Sequence, residues 1–314
     1  MFSDRDDGSA VVSHIPISPF VPLQHNKVDV TTLNRLANFG MRFAREHGWC
    51  SCNPARATLH QAEGASGGQL PIVDDVTVFF AGVELELAEA VPTFDKQGTA
   101  ASLFFSAQFW VSYVGTSSYG VHGKIYKYKA GEENDRALLG TFNLVVVSVS
   151  SVTRRPVAIP VPHGETMRAL LEKNKTASSL PRLQRIDVKQ LVEHSDLVAA
   201  RSQEEFQCSI PTHPINVSQK VMHYREFQLR ETDIDFNRHV NQVAAIQMII
   251  NTFRSAVADD TTVFPQLLDD GVDTLESDLL IRRFRIDYVK EIPADHAALA
   301  VMLFFQDDAL IFSK

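Results

Sequence analysis

The sequence predicts an α+β protein in which antiparallel sheets are wrapped on helices, and three observations carry that prediction. A single amphipathic helix near the start, with Leu33, Leu36, Ala37, Gly40, Phe43 and Ala44 on one face, is followed by a succession of alternating strands. The same order, strand then helix then strands, returns after residue 221, which points to an internal duplication. The helix of the second copy, with Val240, Val243, Ala244, Ile246, Ile249, Ile250 and Phe253 spread around the cylinder, is apolar on nearly every side and so is expected to be buried on most of them.

Composition narrows the function classes. A chain of 314 residues is long enough for two domains, and 45% hydrophobic content suffices for a core in each. A net charge of -8 supplies no basic excess for phosphates, so nucleic acid is not expected as a partner. Three cysteines, Cys50, Cys52 and Cys208, make no disulfide framework and suit a reducing compartment. No apolar run reaches the roughly 18 residues of a membrane span. The first ten residues, acidic and polar, read as a disordered tail and not as a signal or transit sequence, and the final IFSK is no peroxisomal tripeptide. The expected location is the cytoplasm.

The elements follow in order. Residues 14–23 read as a proline-punctuated edge strand, and residues 25–48 as the first helix, with Asp29 or Thr31 as cap and Gly48 as stop. After a small-residue loop from Cys50 to Gly68 come strands around Val76–Phe80 and Val83–Leu87, then 103–114, 118–128 and 138–150, parted by Gly115 and the turn-rich residues 131–135. Glu84 and Glu86 alternate with Val83, Leu85 and Leu87 and read as a solvated strand face. Residues 163–173 and 187–201 read as helical segments around a polar linker. In the second copy a strand at 221–230 leads into the buried helix, and strands at 279–291, 297–305 and 309–312 follow the acidic loop 259–277. This copy reads one strand short, through truncation or because another chain completes the sheet. An uncovered edge would allow a homo-oligomer. The expected domains are 1–160 and 217–314, with residues 161–216 between them.

The strongest chemical signal stands at the start of the buried helix. Asp233, Asp235, Asn237 and His239 alternate along RETDIDFNRHVNQ, so carboxylates, an amide and an imidazole meet a helix N-terminus, which carries free N–H groups and partial positive charge. The plainer reading is that Asp235 and Asn237 cap the helix and His239 is a core histidine. Elsewhere His47, Cys50 and Cys52 lack a second ligand pair for a metal, and Gly115, Gly120 and Gly123 form no phosphate loop.

ETDIDFNRHVNQ resembles the D-x-D-x-N-x-H-V-N-N segment of acyl-ACP thioesterases, double hotdog enzymes that release fatty acids from acyl carrier protein. More distantly it resembles hotdog acyl-CoA thioesterases. RIDYVKEI is similar to that family's Y-r-r-E-C strand, HNKVDVTTLNRLANF to its amino-terminal helix, and LLGTFNLVVVSVSSVTRRP to the last strand and T-R-R turn of its first domain. The resemblance implies tandem hotdog domains, each an antiparallel sheet around a central helix, with the first shaping an acyl pocket and the second catalytic. It carries the catalytic set onto Asp235, Asn237, His239 and Glu291, and needs no cofactor or metal. The family cysteine is Ile292 here, which removes a cysteine nucleophile, and the second Asn of H-V-N-N is Gln242.

Hydrolysis of a thioester then assigns expected roles. Asp235 or Glu291 is base or nucleophile, Asn237 orients water or carbonyl, His239 shuttles the proton, and N–H groups near Val240 and Asn241 bind the oxyanion. The expected substrate is a fatty acyl thioester on acyl carrier protein or CoA, met by Arg282, Arg283, Arg285 and Lys290 or by none of them if these form a solvated strand face. The rivals are an enoyl-thioester hydratase, whose D-x-N-P-x-H is one residue longer, and a non-catalytic acyl-binding or assembly protein.

Overall fold

The structure, a computed structural model, describes residues 1–20, 28–50, 76–88, 103–174, 180, 223–235, 238–259, 281–288, 292, 294–295, 298–306 and 309–313. They fall into two units, one of Met1–Arg185 with Ile281–Tyr288 and the other of Ile186–Leu280 with Val289–Lys314. The expected loop at 50–68 beyond Cys50, the helical segment at 187–201 and the acidic loop beyond Asp259 lie outside the described residues.

The first unit is one antiparallel sheet with a helix laid on it. In chain order its elements are β1 (Phe2–Asp4), β2 (Ala10–Pro16), α1 (Val30–Glu46), β3 (Val76–Leu87), β4 (Leu103–Val114), β5 (Ser118–Lys129), β6 (Ala137–Ser150) and α2 (Val161–Lys173). After β7 (His223–Gln228) and α3 (Gln242–Asp259) of the second unit, β8 (Arg283–Asp287) returns to the first. The strand order is β1-β2-β4-β5-β6-β3-β8, with every pairing antiparallel. The resulting architecture is mixed α and β around a large antiparallel sheet.

α1 begins where the sequence places its cap. Asp29 Oδ1 accepts from the Thr32 N–H at 2.8 Å and from the Thr32 hydroxyl at 2.9 Å, and Thr31 donates to Oδ2 at 3.0 Å. It ends at Gly48, whose φ of +100° costs a glycine little. Leu33, Leu36, Ala37, Gly40 and Ala44 are buried against the sheet. A Cβ on Gly40 would lie 2.9 Å from the Phe109 ring and 3.3 Å from Ala107, so the missing side chain sets how closely helix and sheet approach. Alternation then sorts the strands: Phe105, Ala107, Phe109, Val121, Ile125, Phe142, Leu144, Val83 and Leu85 share the helix side.

Two expectations for this unit fail. Residues 2–4, read as part of a disordered tail, form β1 and pair with Ala10, Val11 and Val12, and Ser9 and Ala10 are fully buried. Backbone pairing, to which local polarity is blind, holds them. Glu86 is exposed as expected, but Glu84 on the same face is largely covered, its side chain only 14% exposed. It belongs to a row across four neighbouring strands, β5-β6-β3-β8. His122 Nδ1 bonds Asn143 Oδ1 at 2.7 Å, Asn143 Nδ2 donates to Glu84 Oε2 at 3.3 Å, and Arg283 donates through Nε and Nη2 to Glu84 Oε1 at 2.9 and 2.6 Å. Since the Asn143 oxygen can only accept, His122 carries its proton on Nδ1. Its Nε2 is buried without a partner among the described residues, and the ring stacks on Trp110.

The second unit contains β7, α3, β9 (Ala298–Gln306) and β10 (Ala309–Ser313), with strand order β10-β9-β7. Between Gln242 and Ala256 only Gln247 and Arg254 are exposed, so α3 is enclosed on nearly all sides, as its composition predicts. Thr252 satisfies its hydroxyl inside the helix by donating to Met248 O at 2.8 Å. The segment expected at 279–291 as a strand of this copy is shorter, and pairs with β3 through Phe284–Leu85 and Ile286–Val83 in the first unit.

Burial holds the His122 pKa below its ordinary 6.5 and outweighs the hydrogen bond that the ring donates to Asn143, while Lys124 adds to the depression. Below 6.5 the unfolded chain therefore takes a proton that the native imidazole refuses, and stability falls with acidification until the folded value is passed. Glu84 and Arg283 face the same row, and His163, held low by burial and by Arg45, contributes in the same direction. Thermal unfolding followed from about pH 7.5 to about pH 5.5 should show a drop in Tm that is smaller in His122→Gln than in the parent protein.

Candidate active site

Of the candidate residues, Asp235, His239, Val240 and Asn241 lie on a tight reversal of the chain in the second unit. Glu231–Asp233 forms a short 3-10 turn in which the Asp233 carboxylate, 6% exposed, accepts from the Arg230 N–H at 3.0 Å and from the Arg230 guanidinium at 3.3 Å. From there Asp233–Asp235 and Arg238–Asn241 fold back on each other. The Asn241 N–H donates to Asp233 O at 2.7 Å, Ile234 and Val240 form an antiparallel bridge, and the Asp235 N–H donates to His239 O at 2.8 Å. Arg238 closes the loop in the left-handed region, at φ +63°.

Asp235 and His239 thus stand opposite each other. Asp235 Oδ1 accepts the His239 N–H at 3.0 Å, a charge-assisted bond that ties the carboxylate to the base of the imidazole residue. His239 Nδ1 is shielded from solvent. Asn241 caps α3, its Oδ1 accepting from the Ala244 N–H at 2.8 Å and its Nδ2 donating to Thr232 O at 3.0 Å. Asn237 and Glu291 lie outside the described residues. The chain one residue past Glu291 is placed: Ile292 O accepts the Val240 N–H at 2.8 Å, and Arg238 O accepts from Ala294 at 2.9 Å.

These bonds change the expected oxyanion donors. The N–H groups of Val240 and Asn241 already serve Ile292 O and Asp233 O. The helix begins at Gln242, two residues later than its apolar pattern, and the N–H groups at its mouth that take no partner among the described residues belong to Gln242 and Val243. Gln242 is buried, and its Oε1 has no partner there either. The sequence singles out Asp233 only as part of the polar cluster. Its separation of three residues from Arg230 is the spacing of a reciprocal cap, a signal that could have marked it as structural. Among the described residues no group of histidine, cysteine and carboxylate side chains could hold a metal ion, and no helix is long and apolar enough to cross a membrane. Cys50 is buried, and Cys52 lies outside the described residues.

No family model and no curated protein sequence matches the chain. Solved structures do. The chain is similar to the 12:0-ACP thioesterase from Umbellularia californica, with a TM-score of 0.54 at 12% identity, over 96% of this chain and 89% of that one. It is also similar to an acyl-ACP thioesterase from Bacteroides thetaiotaomicron, with a TM-score of 0.51 at 15% identity, over 97% of this chain and 89% of that one. At these identities the likeness establishes the fold. The resemblance read from the sequence holds at that level: the chain shares the hotdog architecture of acyl-ACP thioesterases, and the match spans nearly its whole length.

Removal of the Asn241 cap should cost about 1 kcal/mol of stability, the usual value for losing such a side chain. Asn241→Ala should therefore unfold at lower temperature and lower denaturant concentration than the parent, while Asn241→Asp, which keeps the acceptor, should recover most of the loss.

Proposed function

We propose that the protein is a thioesterase that hydrolyses fatty acyl thioesters to the free fatty acid and the thiol. In this reading residues 1–160 and 217–314 are tandem hotdog domains joined by residues 161–216, the first receives the acyl chain, and the second carries the chemistry. The observation that supports it most is the coincidence of a fold shared along the chain with acyl-ACP thioesterases and the Asp235–His239 pair held at the mouth of an enclosed helix.

The reaction asks for a water proton to be removed, a carbonyl oxygen to be stabilised and a thiolate to be protonated. Asp235, or Glu291 next to Ile292, removes the proton as water adds to the thioester carbon, or attacks that carbon itself to form an acyl anhydride that water then cleaves to free the fatty acid. The negative charge that develops on oxygen meets the positive end of α3, where the N–H groups of Gln242 and Val243 take no partner among the described residues. When the tetrahedral centre collapses, the C–S bond breaks and His239 returns a proton to the departing sulfur. Asn237 orients the water or the carbonyl. With Ile292 in the place of the family cysteine, no thiol takes part at that position.

The carrier is acyl carrier protein or CoA, located in the cytoplasm. Arg283 and Arg285 are spent on Glu84 and Asp287, which leaves Arg282 and Lys290 of the proposed basic group to meet a phosphopantetheine. A non-catalytic acyl-binding role is favoured by one observation, the use of Asp235 Oδ1 as a backbone cap on His239.

Thiol release from acyl-CoA and acyl-ACP panels of graded chain length separates the two. The parent protein should be active, and His239→Ala and Asp235→Asn should each lose about 100-fold or more in kcat/KM, the lower range for removing a general acid or base. Equal inertness of parent and variants on both panels would reject hydrolysis. Crotonyl-CoA consumed without thiol release would instead identify a hydratase.

A further inference from the structure

A small cavity lies in the first unit where the first turn of α2 meets the sheet. Its volume is about 10 Å³. Val78 of β3, Tyr119 of β5 and Ser148 of β6 line one side, and Ile159, His163 and Met167 line the other. Strand pairing fixes the first side, for Val78 is the partner of Ser148, and Tyr119 is the partner of Val146 two residues earlier on β6. The second side is tied to the same strands: the Val157 N–H donates to Ser148 O at 2.9 Å and the Ile159 N–H to Thr116 O at 2.8 Å. The space is thus framed by backbone hydrogen bonds.

Ser148 is the odd residue in that frame. On β6 it continues the row of Leu144 and Val146, both buried on the helix side, and yet it carries a hydroxyl. The residue is 1% exposed, and Oγ has no partner among the described residues. Its backbone is fully used, the N–H donating to Ser117 O at 2.7 Å and the carbonyl accepting from Val157, so the hydroxyl alone is left over. Across the cavity His163 is buried as well. Burial, and then the charge of Arg45, hold its pKa below the ordinary 6.5, so at neutral pH the imidazole keeps one donor and one acceptor nitrogen.

Size and chemistry together name the occupant. Native interiors contain few buried hydroxyls without a partner, and the usual partner where protein offers none is ordered water. One water needs about 10–15 Å³ of such space, and it stays only where polar groups receive it. A larger molecule does not fit, and an ion finds no Asp, Glu, Lys or Arg in the wall. We infer that the cavity holds one ordered water, which bridges the Ser148 hydroxyl and the His163 imidazole and so fastens the first turn of α2 to β6. A serine in an otherwise apolar row is then explained, since a cavity with apolar walls alone stays dry. The inference stands whether or not the protein cleaves thioesters.

The test joins crystallography to a double-mutant cycle on the full chain. A crystal structure should show a water about 2.7–3.2 Å from both Ser148 Oγ and a ring nitrogen of His163. Ser148→Ala takes one partner from that water and His163→Leu takes the other. Ser148→Ala should lower Tm by roughly 2–4 °C. His163→Leu should lower it too, and the double variant should lose less than the sum, because both substitutions act through one molecule. In a dry cavity Ser148→Ala deletes only an unpaired hydroxyl, and the variant unfolds at the same temperature as the parent or higher. That result would overturn the inference, as would losses that simply add or a crystal structure with no density between the two side chains.

Discussion

The site rests on one reciprocal pair of hydrogen bonds between Asp235 and His239. The backbone N–H of Asp235 donates to the His239 carbonyl, and the His239 N–H donates back to the Asp235 carboxylate. Each bond alone is worth about 1 kcal/mol, or somewhat more with a charged partner. Together they fix a loop that also needs a left-handed Arg238, a conformation that costs a non-glycine residue on the order of 1 kcal/mol. Placement of the acid and the imidazole is therefore a property of the backbone, set before any substrate arrives. The bonds from 292 and 294 to Val240 and Arg238 tie the same loop to the chain just beyond Glu291.

The first unit shows how one sheet supports two opposite environments. On the α1 side Val83, Leu85, Phe109, Ile125 and Phe142 exclude water. On the other side the same strands carry His122, Asn143 and Glu84 in a row of side chains that satisfy one another. Gly123 lies between these demands, for a Cβ there would run into the Phe142 ring. A period of two sorts the residues between faces, and register aligns each polar residue with its neighbour on the next strand.

How much of this could be read from the sequence depended on how local each cause is. The cap at Asp29, the stop at Gly48 and the strands Leu103–Val114 and Ser118–Lys129 follow from neighbouring residues and were legible. So was the enclosure of α3, because an all-round apolar helix has few other places to go. β1 was not legible, since its acidic residues are held by pairing with β2. Nor was the covered state of Glu84, because alternation gives the face but not what packs over it. In the site, residue types pointed to Asp235 and His239, whereas the start of α3 at Gln242 depends on carbonyls from Asp233 and Ile292, which no spacing rule brings to Val240 and Asn241. The resemblance to a family supplied what spacing could not, a reason to associate Glu291 with the same chemistry.

The late return of β8 bears on how the chain is made. Glu84 and Arg283 are separated by 199 residues, so joining them closes a loop whose entropic cost, on the order of 5 kcal/mol, is met only when the strand arrives. During synthesis one margin of β3 stays bare until most of the polypeptide has left the ribosome, and bare margins attract other nascent strands. The yield of native protein is then expected to fall when translation is slowed before β8 or when holdase chaperones are depleted.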